Sequence, residues 1–185
     1  MIMPQNHKIF ISSTYLDLAG IRADITKWLS GIFGSEPIIM ETFGSDADPP
    51  DVYSVRRVDE CDLFIGIYGH RYGTIDKHTG KSITELELDE AKSAFSSGIL
   101  KDILLYVINR DSDWKSEHKE TNPIAQAGLR RLRKKAGSHT HTIFNGREDL
   151  LFVVVRDAYK KIQEHFGAQP PRVRPFVLPR QTLCI

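Results

Sequence analysis

Three stretches of this chain are apolar without alternation: residues 8–12 (KIFIS), 62–68 (DLFIGIY) and 102–109 (DILLYVIN). A strand with one face in water alternates apolar and polar residues, whereas an unbroken apolar run needs cover on both faces. Between these runs the period becomes helical. Leu18, Ile21, Ile25, Leu29 and Ile32 follow the first run at helical spacing, and Leu88, Ala91 and Phe95 follow the second. Residues 37–43 (PIIMETF) read as a further strand, 51–60 as a helix with a narrow valine stripe, and 140–144 (THTIF) as an edge strand. Pro123 suits the first turn of a helix that runs into RRLRKK, and residues 149–166 read as the last helix despite the strand-like Val153, Val154 and Val155. Strand and helix in strict alternation specify an α/β fold: a doubly wound, mostly parallel sheet of about five strands between two helical layers. Residues 1–167 form that unit, and 168–185, with four prolines in QPPRVRPFVLPRQ, read as an extended tail or linker. Such a linker at the end of the sequence suggests a part of a longer polypeptide, or an arm that packs on a partner.

Ligands of such sheets bind beyond the carboxyl ends of the strands, where the strand order reverses. Three segments follow strand ends there: residues 12–15, 43–51 and 68–87. The first is a hydroxyl-rich turn, Ser12, Ser13 and Thr14, leading into a helix, and it offers hydroxyls and free amides to an anion. Capping of the helix by Ser13 or Thr14 fits the same residues. The third carries Tyr68, Arg71 and Tyr72, then Ser82 and the carboxylates Glu85, Glu87 and Glu90 at the opening of a helix. Ser82-x-x-Glu85 and Thr84-x-x-Glu87 both fit a capping box, and acidic residues suit the positive end of the helix dipole. The alternative to capping is chemistry at the crevice.

A net charge of +1 over 185 residues gives no reason to expect nucleic acid or membrane. The basic run lies on one helix without interleaved aromatics, so it does not change that reading. No apolar run approaches the ~20 residues needed to span a bilayer, and the N-terminal residues lack the apolar segment of a signal peptide. Cys61 and Cys184 lie far apart, Cys61 where a helix meets a strand, so a cytoplasmic protein with reduced thiols is expected. His139 and His141 share one side of the expected edge strand but lack further ligands for a zinc ion. There is no GxGxxG and no Walker sequence, which excludes the usual dinucleotide and P-loop sites.

KIFISSTYLDL with Arg22 close behind, DECDLFIGIYGHRYG and SITELELDEA together resemble the TIR-like domain of unknown function found at the N-termini of STAND (NACHT and other P-loop) NTPases. The resemblance covers residues 8–95, and in the loop after the second strand Phe43, Asp46 and Asp48 match it loosely. It implies kinship with TIR domains, several of which cleave NAD at the nicotinamide bond, and with nucleoside 2-deoxyribosyltransferases. Both place a glutamate early in the helix after the third strand. The transferase pattern sets that glutamate four residues before an alanine, a spacing met by Glu87 and Ala91 and not by Glu85. Ile83 and Thr84 replace the aromatic–cysteine pair usual in TIR domains. The resemblance thus implies Glu87 as the catalytic carboxylate, with Ser12, Ser13, Thr14, Tyr68, Arg71, Tyr72 and Ser82 as substrate-binding candidates. It implies NAD or a nucleotide as substrate, no required cofactor or metal, and a role in antiphage or cell-suicide defence. The partner would be a second copy or a STAND NTPase. The alternative is a TIR-like module without catalysis that signals by self-association.

Overall fold

The computed structural model describes residues 7–33, 36–38 and 55–167. Within them the order is β1 (Lys8–Ser13), α1 (Tyr15–Phe33), β2 (Glu36–Ile38), β3 (Leu63–Tyr68), α2 (Ile83–Ser96), β4 (Asp102–Ile108), α3 (Pro123–Gly137), β5 (His141–Phe144) and α4 (Arg147–Phe166). The five strands form one sheet in the order β2-β1-β3-β4-β5, and every pairing is parallel. This is the doubly wound α/β fold expected from the three apolar runs, which become the neighbours β1, β3 and β4. The edge strand expected at 140–144 is β5, one residue shorter. Of the strand expected at 37–43, β2 holds the start; residues 39–43 lie outside the described residues, as do the loop 43–51 and the tail 168–185. The helix expected at 51–60 is seen from residue 55 and tightens into a 3-10 turn at Val58–Glu60.

The unalternating runs fill two cores. Ile9, Ile11, Ile65 and Ile67 point to one face, where Leu18, Ile25 and Leu29 of α1 and Leu150, Val154 and Ala158 of α4 cover them. Phe10, Phe64 and Leu105 point to the other, under Leu88 and Ala91 of α2 and Leu132 and Ala136 of α3. Phe10 and Phe64 stack with centroids 5.7 Å apart across the β1–β3 register. Burial on both faces thus overrides the weak helix propensity of Val153 and Val154, which are buried within α4. Cys61 is a core residue: its thiol donates to the Arg57 carbonyl at 3.2 Å, and burial pushes its pKa up to about 12. Among the described residues no helix is long and apolar enough to cross a membrane.

Pro123 occupies the first turn of α3 behind Asn122, whose side chain accepts from the amides of Ile124 and Ala125. The chain leaves β1 towards one edge of the sheet and returns to β3 on the other side of β1. The strand order therefore reverses between β1 and β3, and the segments after these strands meet at their carboxyl ends.

Candidate functional site

A cleft of about 270 Å³ opens at that reversal. Ser13, Thr14 and Tyr15 come to it from the end of β1, Arg71, Gly73 and Thr74 from the loop after β3, and Ile83 and Thr84 from the start of α2. Strand alternation separates the two serines. Ser13 shares a face with Ile11, lines the cleft, is 3% exposed, and its hydroxyl has no hydrogen-bond partner among the described residues. Its carbonyl accepts from Arg22 Nη1 at 3.1 Å. Ser12 shares the opposite face with Phe10, and its hydroxyl donates to Glu87 Oε2 at 2.6 Å.

Glu87 is 1% exposed and does not line the cleft. It lies one helical turn behind Thr84, which does, and its carboxylate is held by Ser12, the neighbour in β1 of the cleft residue Ser13. Helical side chains lean towards the N-terminus of their helix, which for α2 is the cleft end. Gly66, opposite Ser12 in the β1–β3 register, leaves room there: a Cβ at residue 66 would collide with the ring and hydroxyl of Tyr68. That hydroxyl is buried and without a hydrogen-bond partner among the described residues. Burial, with Glu87 and Asp89 nearby, pushes the Tyr68 phenol well above its usual range. Ser12, Tyr68 and Glu87 thus form a buried polar group behind the cleft residues Ser13, Thr14 and Arg71, without lining the cleft themselves.

Tyr72 and Ser82 belong to a different cluster, built round Glu85. The Ser82 hydroxyl caps α2 by accepting from the Glu85 amide at 3.2 Å, but the return half of the capping box is not made. The Ser82 amide instead donates to the Tyr72 hydroxyl at 3.0 Å, which donates to Glu85 Oε2 at 2.5 Å. Arg131 reaches Glu85 through Nε at 2.9 Å and Nη2 at 2.8 Å, and Lys135 Nζ reaches it at 2.8 Å. Lys135 also pairs with Asp89, which pairs with Lys81. Burial alone would push the Glu85 carboxyl up. The hydrogen bonds from Arg131, Lys135 and Tyr72 outweigh it and hold the pKa at about 2. Two residues of the basic run are therefore structural counter-ions.

The Tyr72 ring lies flat on Gly128 of α3, where a Cβ would fall on its ring carbons. Gly128→Ala would gain about 1 kcal/mol in helix propensity. The ring cannot retreat, because its hydroxyl is tied to Ser82, Glu85 and Arg131. Overpacking costs about 1–3 kcal/mol, so thermal unfolding is expected to show a net loss, with Tm lowered rather than raised.

Asp17, which the sequence reading passed over, completes the turn after β1. It accepts from the Thr14 hydroxyl and from the His70 amide, the latter at 3.1 Å. Burial pushes its carboxyl up against these hydrogen bonds. The spacing Thr14-x-x-Asp17 is itself a capping signal and marks the residue. Asp17 thereby ties the turn after β1 to the loop after β3, and so fixes two walls of the cleft. Arg71 donates to the Glu117 carbonyl at 3.3 Å while its side chain lines the cleft. Among the described residues, no group of three or more His, Cys, Asp or Glu side chains is placed to hold a metal ion.

No curated protein matches this chain. A family model described as Domain of unknown function (DUF4062) matches residues 8–159, from the start of β1 into α4, and the chain belongs to that family.

Proposed function

We propose that this chain is a TIR-like N-glycosidase that cleaves NAD or a related nucleotide, with Glu87 as its catalytic carboxylate. The observation that supports it is one juxtaposition at the strand reversal. Ser13, whose hydroxyl has no partner among the described residues, and the Arg71 guanidinium line a cleft, and the adjacent Ser12 holds a buried carboxylate. At about 270 Å³ the cleft is below the ~300–1,000 Å³ usual for whole ligands, so it suits the ribose portion of a dinucleotide. Ser13 and Thr14 meet ribose hydroxyls, and Arg71 meets a phosphate through two parallel hydrogen bonds.

Cleavage breaks the bond between ribose C1′ and the base nitrogen, and its electron pair leaves on the base. Nicotinamide in NAD already carries a positive charge, so it departs neutral without a general acid. Glu87 stabilises the cationic sugar or forms a covalent bond to C1′. Water then adds at C1′ and releases a proton. For this step Glu87 exchanges the Ser12 hydroxyl for the sugar and turns up past Thr84. The resting arrangement is therefore closed, and assembly with a second copy or with a STAND NTPase is the event that opens it. The setting is the cytoplasm, in antiphage or cell-suicide defence.

Calorimetric titration with NAD tests the cleft directly. Arg71→Gln is expected to weaken binding about tenfold through loss of the charged phosphate contact, and equal affinity would remove the cleft from the account. A second reading, a self-associating module without catalysis, is favoured by the α1–α4 face. There Trp28 is 54% and Phe152 69% exposed beside a groove shared with Leu151 and Val155. Concentration-dependent association without base release at any concentration would favour that reading.

A further inference from the structure

A second cleft, of about 650 Å³, opens between the carboxyl end of β4, the edge strand β5 and α3. Arg110 enters it from the turn after β4, Arg130, Arg133 and Lys134 from α3, and His141 from β5. Among the described residues Asp111 is the one carboxylate in its walls. No residue lines both this cleft and the one above Glu87.

Helical spacing explains how the cations come together. In RRLRKK, Arg131 and Lys135 lie one turn apart and face Glu85 and Asp89 on α2. Arg130 and Lys134 lie one turn apart on the adjacent strip and face the cleft. Among the described residues Arg110, Arg130 and Lys134 are engaged in no ion pair. Arg133 is anchored between them by a 2.8 Å hydrogen bond to the Gly69 carbonyl. Burial and the charge of Arg110 pull its pKa down, against the opposing pull of Asp17. Like charges one turn apart on a helix repel, so the free protein holds an arrangement that a bound anion would relieve.

The cleft is not only basic. Ile143, 60% exposed, and Val107 form an apolar wall beside the cations. An occupant therefore combines several negative charges with a flat apolar body. The cavity lies within the ~300–1,000 Å³ range of small-ligand sites. A confined cleft with an apolar wall suits a small ligand better than an extended nucleic acid, which would need a basic track across the surface.

We propose that this cleft binds a nucleoside polyphosphate, with its phosphates on Arg110, Arg130 and Lys134 and its base against Ile143. The arginine forks match phosphate oxygens in pairs, and Lys134 adds a point charge. The site is separate from the glycosidase reading and stands whether or not Glu87 is catalytic.

The test is calorimetric titration of the full chain with ATP at low ionic strength. One saturable site is expected, weakening as salt is raised. Arg130→Gln/Lys134→Gln is expected to lose at least about tenfold in affinity. Neither side chain has an ion-pair partner among the described residues, so Tm should not move, and an unchanged Tm shows that the variant folds. Lys160→Gln, which lines neither cleft, should bind ATP as the parent does. Inorganic tripolyphosphate should bind more weakly than ATP, because it lacks the base. Four results would each overturn the proposal: no saturation at millimolar ATP, full affinity in the double variant, tripolyphosphate binding as tightly as ATP, or a random single-stranded oligonucleotide binding more tightly than ATP.

Discussion

Glu85→Ala is expected to destabilise the fold by about 3 kcal/mol, at the lower end of the ~3–5 kcal/mol for breaking a buried ion pair. Glu85 is fully buried, and its removal takes away the acceptor of the Tyr72 hydroxyl and the one carboxylate that pairs with Arg131 among the described residues, while Lys135 keeps Asp89. The lower end applies because Arg131 is half exposed and water screens it when its partner is lost. For a chain of this length the change corresponds to a Tm drop of roughly 6–12 °C. Arg131→Ala should cost less, since Glu85 keeps Lys135. The pH dependence has a definite sign. The Glu85 carboxyl titrates at about 2 in the fold, below its ordinary 4.5. Its contribution is therefore complete above pH 4.5 and is lost as pH falls towards 2. Denaturant unfolding at pH 7 and pH 3 checks this, and the Glu85→Ala deficit should shrink at the lower pH. An equal deficit at both would mean that the charge contributes nothing.

Glu87→Gln is expected to do the reverse: little change in stability and a large loss of activity. Gln keeps the size of the side chain and can still accept from Ser12. It removes the negative charge that the cationic sugar requires. Loss of one electrostatic contact of this kind commonly costs ~10²–10³ in rate. Paired with Glu85→Gln, the substitution separates the two glutamates by function: residue 85 governs Tm and residue 87 governs turnover. A Glu87→Gln protein with full activity would move the chemistry away from this carboxylate.

The sheet could be read from the sequence because its signal is local. KIFIS, DLFIGIY and DILLYVIN lack alternation, and only strands buried on both faces tolerate that. The contact of Ser12 with Glu87 also follows from short-range rules, since alternation puts Ser12 on the α2 face and helical lean aims Glu87 at it. The Glu85 cluster was hidden because Arg131 and Lys135 lie 46 and 50 residues away in sequence. Nothing near Glu85 distinguishes a capping carboxylate from a buried ion pair until α3 is seen packed beside α2. The same packing draws Tyr72 and Ser82 out of the cleft in which the sequence reading put them. The roles of the basic run were hidden for a related reason: its cations divide between two sides of one helix, a division that composition does not record. Residues 43–51 and 168–185 lie outside the described residues, so the expectations placed on them stand as sequence readings.

The most direct test of the glycosidase account is base release followed by chromatography. NAD is incubated with the protein over a range of concentrations that reaches self-association, alongside Glu87→Gln at matched Tm. The account predicts nicotinamide and ADP-ribose in equal amounts from the parent protein, with a rate per chain that rises on association, and ~10²–10³ less from the variant. Equal release from both proteins, or no release from the associated parent protein with NAD or other nucleotides, would contradict it.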